Sequence, residues 1–342
     1  MAGENPAWAI LRKVIENKSL NDRKRLAAYE YESYSRIELL LANVSDKMRN
    51  QRLIKDIEQS VSNLTLERDS SGAPRVPVFV SETLSKLFFR RDPKKMKEVI
   101  LHTKAEGIGV TDQNILTEVL GATYSDFNFY QNWVRFLGKD LHSPIADGWQ
   151  GTYKYILGDT LRKIDDRICY EIRFKPKVKY DLAFTGKVWI DTSTHALAKI
   201  DVYVSKDVNL NYIDEVSVSQ VFQPIPNTTA WMPGTTRMRV NVAQITANSA
   251  GFIANIFLNN RTFLVDKPRD EAFFDVPIMR DDSLTEKKSE TFWAEVRPEP
   301  LSKEELDRYA IIDSIKKCAA RKKVDKNCPC HHNGSCADHK TS

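Results

Sequence analysis

The chain has 342 residues, of which 42% are hydrophobic and 28% are charged, a composition typical of a folded protein rather than a disordered one. The net charge of +5 lies entirely in residues 316–342, which carry seven basic and two acidic side chains. The rest of the chain is therefore neutral, which excludes a general electrostatic attraction to nucleic acid or anionic lipid. We predict no nucleic-acid partner.

The first 150 residues are predicted to mix helices and strands. Asn5 followed by Pro6 is typical of a helix start, because asparagine caps the helix and proline needs no amide partner there, so we predict a helix over 7–16. Tyrosine-rich and aliphatic runs indicate strands, and helical apolar spacing indicates further helices. Predicted strands cover 27–44 and 76–89, predicted helices cover 45–64 and 92–103, and 127–137 is predicted to be helical or irregular.

Alternation of apolar and polar residues dominates after residue 150. It occurs in four runs, at 170–175, 199–205, 216–220 and 237–242. Such alternation gives each strand one buried face and one wet face, which favours an antiparallel sheet. The polar stretch 191–194 between two of these runs predicts a hairpin turn.

The C-terminal part begins with a capping box formed by Ser302 and Glu305, which predicts a helix over 303–315. Together these elements predict an α+β fold, with a large antiparallel, half-barrel-like sheet and an N-terminal helix-and-strand segment packed on it. We divide the chain into a mixed segment (1–150), a β-rich segment ending in a helix (151–315) and a disordered Cys/His/Lys tail (316–342). The first residues show neither a basic nor an apolar signal region, so we expect the chain as given to stay in the cytoplasm.

Soft metal ligands are concentrated in the tail. The weak candidates are Cys328, Cys330, His331, His332, Cys336 and His339. Their irregular spacing differs from the paired spacing of structural zinc sites, so we predict neither a metal site nor a cofactor. Cys169 is the one cysteine outside the tail, which leaves no internal disulfide framework.

Catalytic motifs are absent: the sequence contains no Walker loop, no Rossmann glycine fingerprint, no zinc-protease helix motif and no nucleophile elbow. Asp140, His142 and Ser143 stand too close in sequence to be placed as a catalytic triad, which geometry defines. His102, on a predicted helix, and His195, in the predicted hairpin turn, are predicted surface residues. We therefore predict no enzyme and no catalytic residue, and a hydrolase that uses His142 or His195 is a minor alternative.

Several separated motifs resemble a known family of Gram-negative outer-membrane proteins of unknown function. The matching motifs are Asn5-Pro6-Ala7, Tyr29 with Tyr31 and Tyr34, 77–83, 128–133, 181–191, 209–211, Arg297-Pro298 with Pro300-Leu301, and 312–314. Members are usually labelled carboxypeptidase-like regulatory domain-containing proteins. The resemblance implies a signal peptide and a non-catalytic β-sandwich before this region, an outer-membrane β-barrel after it, and a location in the periplasm and outer membrane.

The chain departs from that pattern at both ends, since it lacks the signal peptide and the sandwich, and its tail stands where barrel strands should follow. Our main interpretation is a non-catalytic periplasmic interaction module in a truncated product. It would bind its own or a neighbouring outer-membrane barrel, or another envelope protein. The alternative is a carrier of a lipid-like ligand, because residues 153–204 resemble half-barrel periplasmic carriers of lipoproteins and lipids at the level of fold.

Overall fold

The computed structural model describes residues 4–42, 64–107, 127–136, 138–205, 207–208, 210, 213–243, 251–275 and 288–326. The strands in these residues are β1 (Ala28–Ala42), β2 (Val76–Arg90), β3 (Lys95–Gly107), β4 (Trp133–Phe136), β5 (Lys139–His142), β6 (Tyr153–Leu157), β7 (Arg162–Ile164), β8 (Arg167–Pro176), β9 (Thr185–Asp191), β10 (Leu197–Val204), β11 (Ile213–Pro224), β12 (Trp231–Val242) and β13 (Gly251–Val265). The helices are α1 (Pro6–Glu16), α2 (Lys18–Asn21), α3 (Trp149–Thr152), α4 (Glu271–Asp275), α5 (Glu290–Val296) and α6 (Lys303–Lys326).

One open antiparallel sheet contains eleven of these strands, in the order β3-β2-β1-β13-β12-β11-β10-β9-β8-β6, with β7 paired to β8. This sheet, with helices on both of its faces, confirms the predicted α+β class. The alternating runs after residue 150 are strands as predicted, and residues 191–194 form the turn between β9 and β10. The predicted strands over 27–44 and 76–89 correspond to β1 and β2.

The inner face of the sheet is the face on which α1 and residues 127–149 pack. Leu11 from α1 and Phe129, Tyr130 and Leu141 from that segment lie in one core cluster with the inward side chains of β6 and β8–β12. Asn5 fixes the start of α1, because its side-chain oxygen accepts a hydrogen bond from the Ala7 amide at 3.0 Å. This packing fills the inner face along one half of the sheet.

The outer face is covered by α5 and α6 where β1, β2 and β13 lie. The capping box at the start of α6 is confirmed: the Ser302 amide donates to Glu305 Oε2 at 2.7 Å, and the Glu305 amide donates to Ser302 Oγ at 3.3 Å. The helix continues to Lys326, so its predicted end at 315 and the predicted disorder of 316–326 are wrong. Alanine, lysine and arginine in 316–326 are strong helix formers, which explains the extension.

Two other predictions in the N-terminal part are wrong or partly wrong. Residues 95–103, predicted as helix, belong to the edge strand β3, where pairing with β2 overrides a helical spacing of apolar residues. Residues 127–136 are turns followed by β4, which forms a small separate sheet with β5. The predicted helix over 45–64 lies almost wholly outside the described residues. None of the helices in the described ranges combines the length and hydrophobicity needed to cross a bilayer.

Candidate ligand-binding cleft

The second half of the inner face carries a cleft of about 300 Å³. It lies over β1, β2 and β3 and extends across β13, β12 and β11. Phe127, from the packed segment, lines one end of the cleft. The inner face is therefore closed by packing along one half and open along the other.

The floor of the cleft is made of small hydroxyl side chains. Ser33 and Ser35 come from β1, and Ser81, Thr83 and Ser85 come from β2. The pairing register sets Ser33 opposite Ser85 and Ser35 opposite Thr83, so the hydroxyls form a continuous patch. Because side chains alternate between the faces of a strand, every second residue here is small, which leaves room above the sheet.

Amide side chains extend the polar floor across β11 and β13. Asn260 accepts a hydrogen bond from the Ser33 hydroxyl at 2.8 Å, and Gln220 donates to Thr236 Oγ1 at 3.0 Å. The Oε1 atom of Gln220 is buried and accepts no hydrogen bond. Among the described residues, the hydroxyls of Ser35 and Ser81 also make no side-chain hydrogen bond. Buried polar atoms normally have partners, so the Oε1 atom of Gln220 is available to a bound ligand.

The walls of the cleft are apolar and aromatic. Tyr29 stacks on Phe89 with ring centroids 4.5 Å apart, and Tyr31 lies 5.4 Å from Phe263. Burial raises the pKa of Tyr31, so its hydroxyl stays protonated. The charged side chains that line the cleft are Arg23, Lys94 and Glu98, none of which belongs to the hydroxyl and amide floor. The cleft thus combines an uncharged polar floor with apolar walls.

A buried ionic cluster on the outer face lies directly behind this floor. Glu82, between Ser81 and Thr83 on β2, is fully buried and accepts hydrogen bonds from Arg297 Nε at 2.7 Å, Tyr34 Oη at 2.6 Å and Tyr309 Oη at 2.5 Å. Burial alone would raise the pKa of Glu82, but these hydrogen bonds outweigh it and hold the pKa below its usual value. The cluster fastens α5 and α6 to the strands that carry the cleft.

A second ionic group continues the same contact. Arg308 of α6 pairs with Glu38 of β1, and Arg36 of β1 pairs with Glu305 of α6. Arg36 and Glu38 are themselves 4% and 3% exposed, so the charges are shielded from water. Such charges are tolerated inside a protein only when they are paired, which makes the position of α6 specific.

The Asp140–His142–Ser143 group does not form a triad. The Ser143 hydroxyl donates to the Phe129 carbonyl oxygen at 2.5 Å and is fully buried. The His142 ring lies 5.0 Å from Trp133, and its Nδ1 atom has no hydrogen-bond partner. Burial, and then the nearby Lys18, lower the pKa of His142. The His142 ring therefore packs against Trp133 and is not hydrogen-bonded to Asp140 or Ser143.

The other predicted candidates are dispersed. His195 lies in the turn before β10 with a positive φ of 54°, and burial, followed by Lys13, lowers its pKa. His102 lies on β3 rather than on a helix, with its ring 4.9 Å from Phe292. Cys169 is a free, buried thiol. Cys328, Cys330, His331, His332, Cys336 and His339 lie outside the described residues.

The cleft residues were not identified from the sequence. Serine and threonine at 33, 35, 81, 83 and 85 follow a period of two, which places them on one face of each strand. A period of two does not say which face points inward. The structure places all five on the inner face, where they line the cleft.

The inner face of the open sheet thus carries a cleft with a polar, uncharged floor and apolar walls. The chain belongs to a family of unknown function, DUF5686, which matches residues 10–260. No curated protein matches the sequence.

Several solved structures are similar to this chain at low sequence identity and low TM-score. A protein described as an outer membrane lipoprotein-sorting protein domain from Vibrio parahaemolyticus is 11% identical, with a TM-score of 0.31, over 78% of this chain and 95% of that chain. A LolA superfamily protein from Nitrosomonas europaea is 11% identical, with a TM-score of 0.24, over 78% and 96%. The MucA/MucB complex of Pseudomonas aeruginosa is 10% identical, with a TM-score of 0.21, over 75% and 94%.

Proposed function

We propose that the protein is a non-catalytic binding module that holds a lipid-like, amphipathic ligand in the inner cleft. The observation that carries the proposal is the combination of an uncharged hydroxyl and amide floor with aromatic and aliphatic walls. Apolar walls with a few convergent polar groups are typical of small-molecule sites. The buried, unpartnered Oε1 atom of Gln220 supplies an acceptor for a ligand donor.

The size of the cleft limits the ligand. A volume of about 300 Å³ lies at the lower end of the range of ligand pockets, roughly 300–1,000 Å³. Phe129 and Leu141 are fully buried in the packed half of the inner face, so the cleft does not extend into that half. The cleft therefore suits one acyl chain with its polar linker rather than a whole two-chain lipid.

Titration of a fluorescent fatty-acid probe into the full chain tests this proposal. In the variant Ser35→Trp, an indole would occupy the floor, and we expect the probe to bind about tenfold more weakly or worse, a loss of about 1.4 kcal/mol. Ser217→Trp is the matched control, because Ser217 lies on the outer face of β11. Equal affinity in both variants, with unchanged circular dichroism, would refute binding in the cleft.

We also propose that this module works in the Gram-negative envelope and contacts an outer-membrane barrel or another envelope protein. The support is the resemblance carried by the separated motifs from Asn5 to Ser314. Fractionation of the source cells, with intact mass measurement, tests the location. Recovery of the protein from the periplasm or outer membrane is expected, whereas recovery from the cytoplasm alone would contradict the proposal.

A further inference from the structure

The loop between β8 and β9 exposes apolar side chains at a corner of the sheet. Val178 is 54% exposed, Tyr180 69% and Leu182 39%. Single exposed apolar residues are ordinary on a protein surface, but three within five residues form a patch. Such a patch indicates an interaction surface.

Trp133 extends this patch from a neighbouring element. Its side chain is 59% exposed, and its ring lies 5.0 Å from that of His142. The His142 amide in turn donates to the Leu182 carbonyl oxygen at 3.1 Å. Strand β4 and the loop are thus adjoining, and we name Trp133, Val178, Tyr180 and Leu182 the aromatic corner.

The loop is held in place by its backbone. The Lys177 amide donates to the Thr152 carbonyl oxygen at 2.8 Å, and the Phe184 amide donates to the Tyr153 hydroxyl at 3.1 Å. An isolated parallel β-bridge between the backbones of His142 and Ala183 is a third attachment of the loop. The exposed side chains are therefore presented by a fixed backbone.

Lysines stand at the start of this loop and on the strands β6 and β8 that end beside it, although the body of the chain is neutral. Lys154 and Lys175 are exposed and stand directly opposite each other on β6 and β8. Like charges at opposed positions of an antiparallel pair destabilise it. Neither they nor Lys177 forms an ion pair within the part of the chain that the structure describes, whereas Lys179 pairs with Asp207 at 3.2 Å. An anionic partner would relieve the repulsion.

We propose that the aromatic corner docks the protein on an anionic lipid bilayer. Tryptophan and tyrosine favour the membrane–water interface, and lysines beside them are attracted to anionic headgroups. The apolar side chains would enter the headgroup region while the three unpaired lysines contact lipid phosphates. This inference does not rest on the cleft, which lies over the opposite half of the sheet.

Flotation of the full chain with lipid vesicles tests the proposal. We expect binding to vesicles of phosphatidylcholine mixed with phosphatidylglycerol, and much weaker binding to phosphatidylcholine alone. Replacement of Lys175 and Lys177 by serine should weaken binding about fivefold for each lysine. The variant Tyr180→Ser should also weaken binding, while Tyr203→Ser, an exposed tyrosine on the outer face of β10, should not.

The basic residues 316–342 are present in every variant, so vesicle binding alone is not the supporting result. Unchanged binding in the lysine and Tyr180 variants would overturn the proposal and assign the attraction to another part of the chain. Equal binding to neutral and anionic vesicles would overturn it as well. Binding of the corner to a short oligonucleotide but not to vesicles would show a general polyanion site instead.

Discussion

Replacing Arg297 by methionine should destabilise the protein far more than the same change at Arg237. Both arginines make two hydrogen bonds to a glutamate, Arg297 to Glu82 at 2.7 and 2.8 Å and Arg237 to Glu299 at 2.7 and 2.6 Å. The side chains of Arg297 and Glu82 are 5% and 0% exposed. Those of Arg237 and Glu299 are 52% and 43% exposed, and Arg297 also pairs with Glu290 at 2.6 Å, so the two arginines differ in burial and in this second pair.

The expected magnitudes follow from that difference. Without Arg297, the Glu82 carboxylate would stay buried with two tyrosine hydroxyls as hydrogen-bond donors and with Lys104 at 3.8 Å. Removing one partner of a buried ion pair costs about 3–5 kcal/mol. Removing one partner of an exposed pair costs about 0–1 kcal/mol, because water screens both charges.

Urea unfolding at neutral pH, followed by circular dichroism, measures the two losses. Hydrogen exchange in α5 and α6 would show whether the helices detach from the sheet before the sheet unfolds. Similar free energies of unfolding for Arg297→Met and Arg237→Met, with unchanged exchange in α6, would refute the claim that the buried pair holds these helices.

The effect of Arg297→Met should also depend on pH. Because the pKa of Glu82 in the folded protein lies below its ordinary value of 4.5, the stabilisation is complete above about pH 4.5. It is lost as the pH falls through the lowered pKa and Glu82 takes up a proton. The difference in unfolding free energy between parent and variant should therefore shrink on acidification, and a difference that grows would contradict the argument.

Two further predictions concern the sheet. A Cβ at Gly186 of β9 would overlap the Asp201 carbonyl oxygen of β10, so Gly186→Ala should lower the free energy of unfolding by about 3 kcal/mol. The control variant is Gly151→Ala, which should change the free energy of unfolding little, because the added Cβ would meet open space. Burial raises the pKa of the Cys169 thiol to about 11, so iodoacetamide at mildly alkaline pH should modify it in urea but not in the folded protein, as peptide mass spectrometry will show. Rapid modification of the folded protein would mean that β8 opens.

The strands were predictable where one face is wet and the other buried. Val216 and Val218 alternate with polar residues along β11, and their side chains fill the inner core as that pattern requires. Helix starts were predictable as well, because Asn5 and Ser302 cap by local hydrogen bonds that need no tertiary partner. Local chemistry thus determined these elements.

Strand β3 and the cleft depend on pairing between strands, which no single segment of the sequence shows. The run Val99-Ile100-Leu101 has no alternation and is compatible with a helix, and only its pairing with β2 makes it a strand. The cleft likewise requires Ser33 of β1 to meet Asn260 of β13. No local sequence pattern indicates that Ser33 and Asn260 come into contact. The cleft could therefore not be located from the sequence.

The pairing of β1 with β13 also determines how the chain can assemble. Tyr29 lies opposite Val265, so the second strand neighbour of β1 is synthesised long after β1 itself. Until then β1 and β12 each present an open edge, the kind of edge that favours aggregation. Closure between such distant segments is slow because the entropy of a long loop is lost before the contacts form. Until β13 has been synthesised, the strands on its two sides, β3-β2-β1 and β12 to β6, therefore form two separate parts of the sheet, and each part has an unpaired edge.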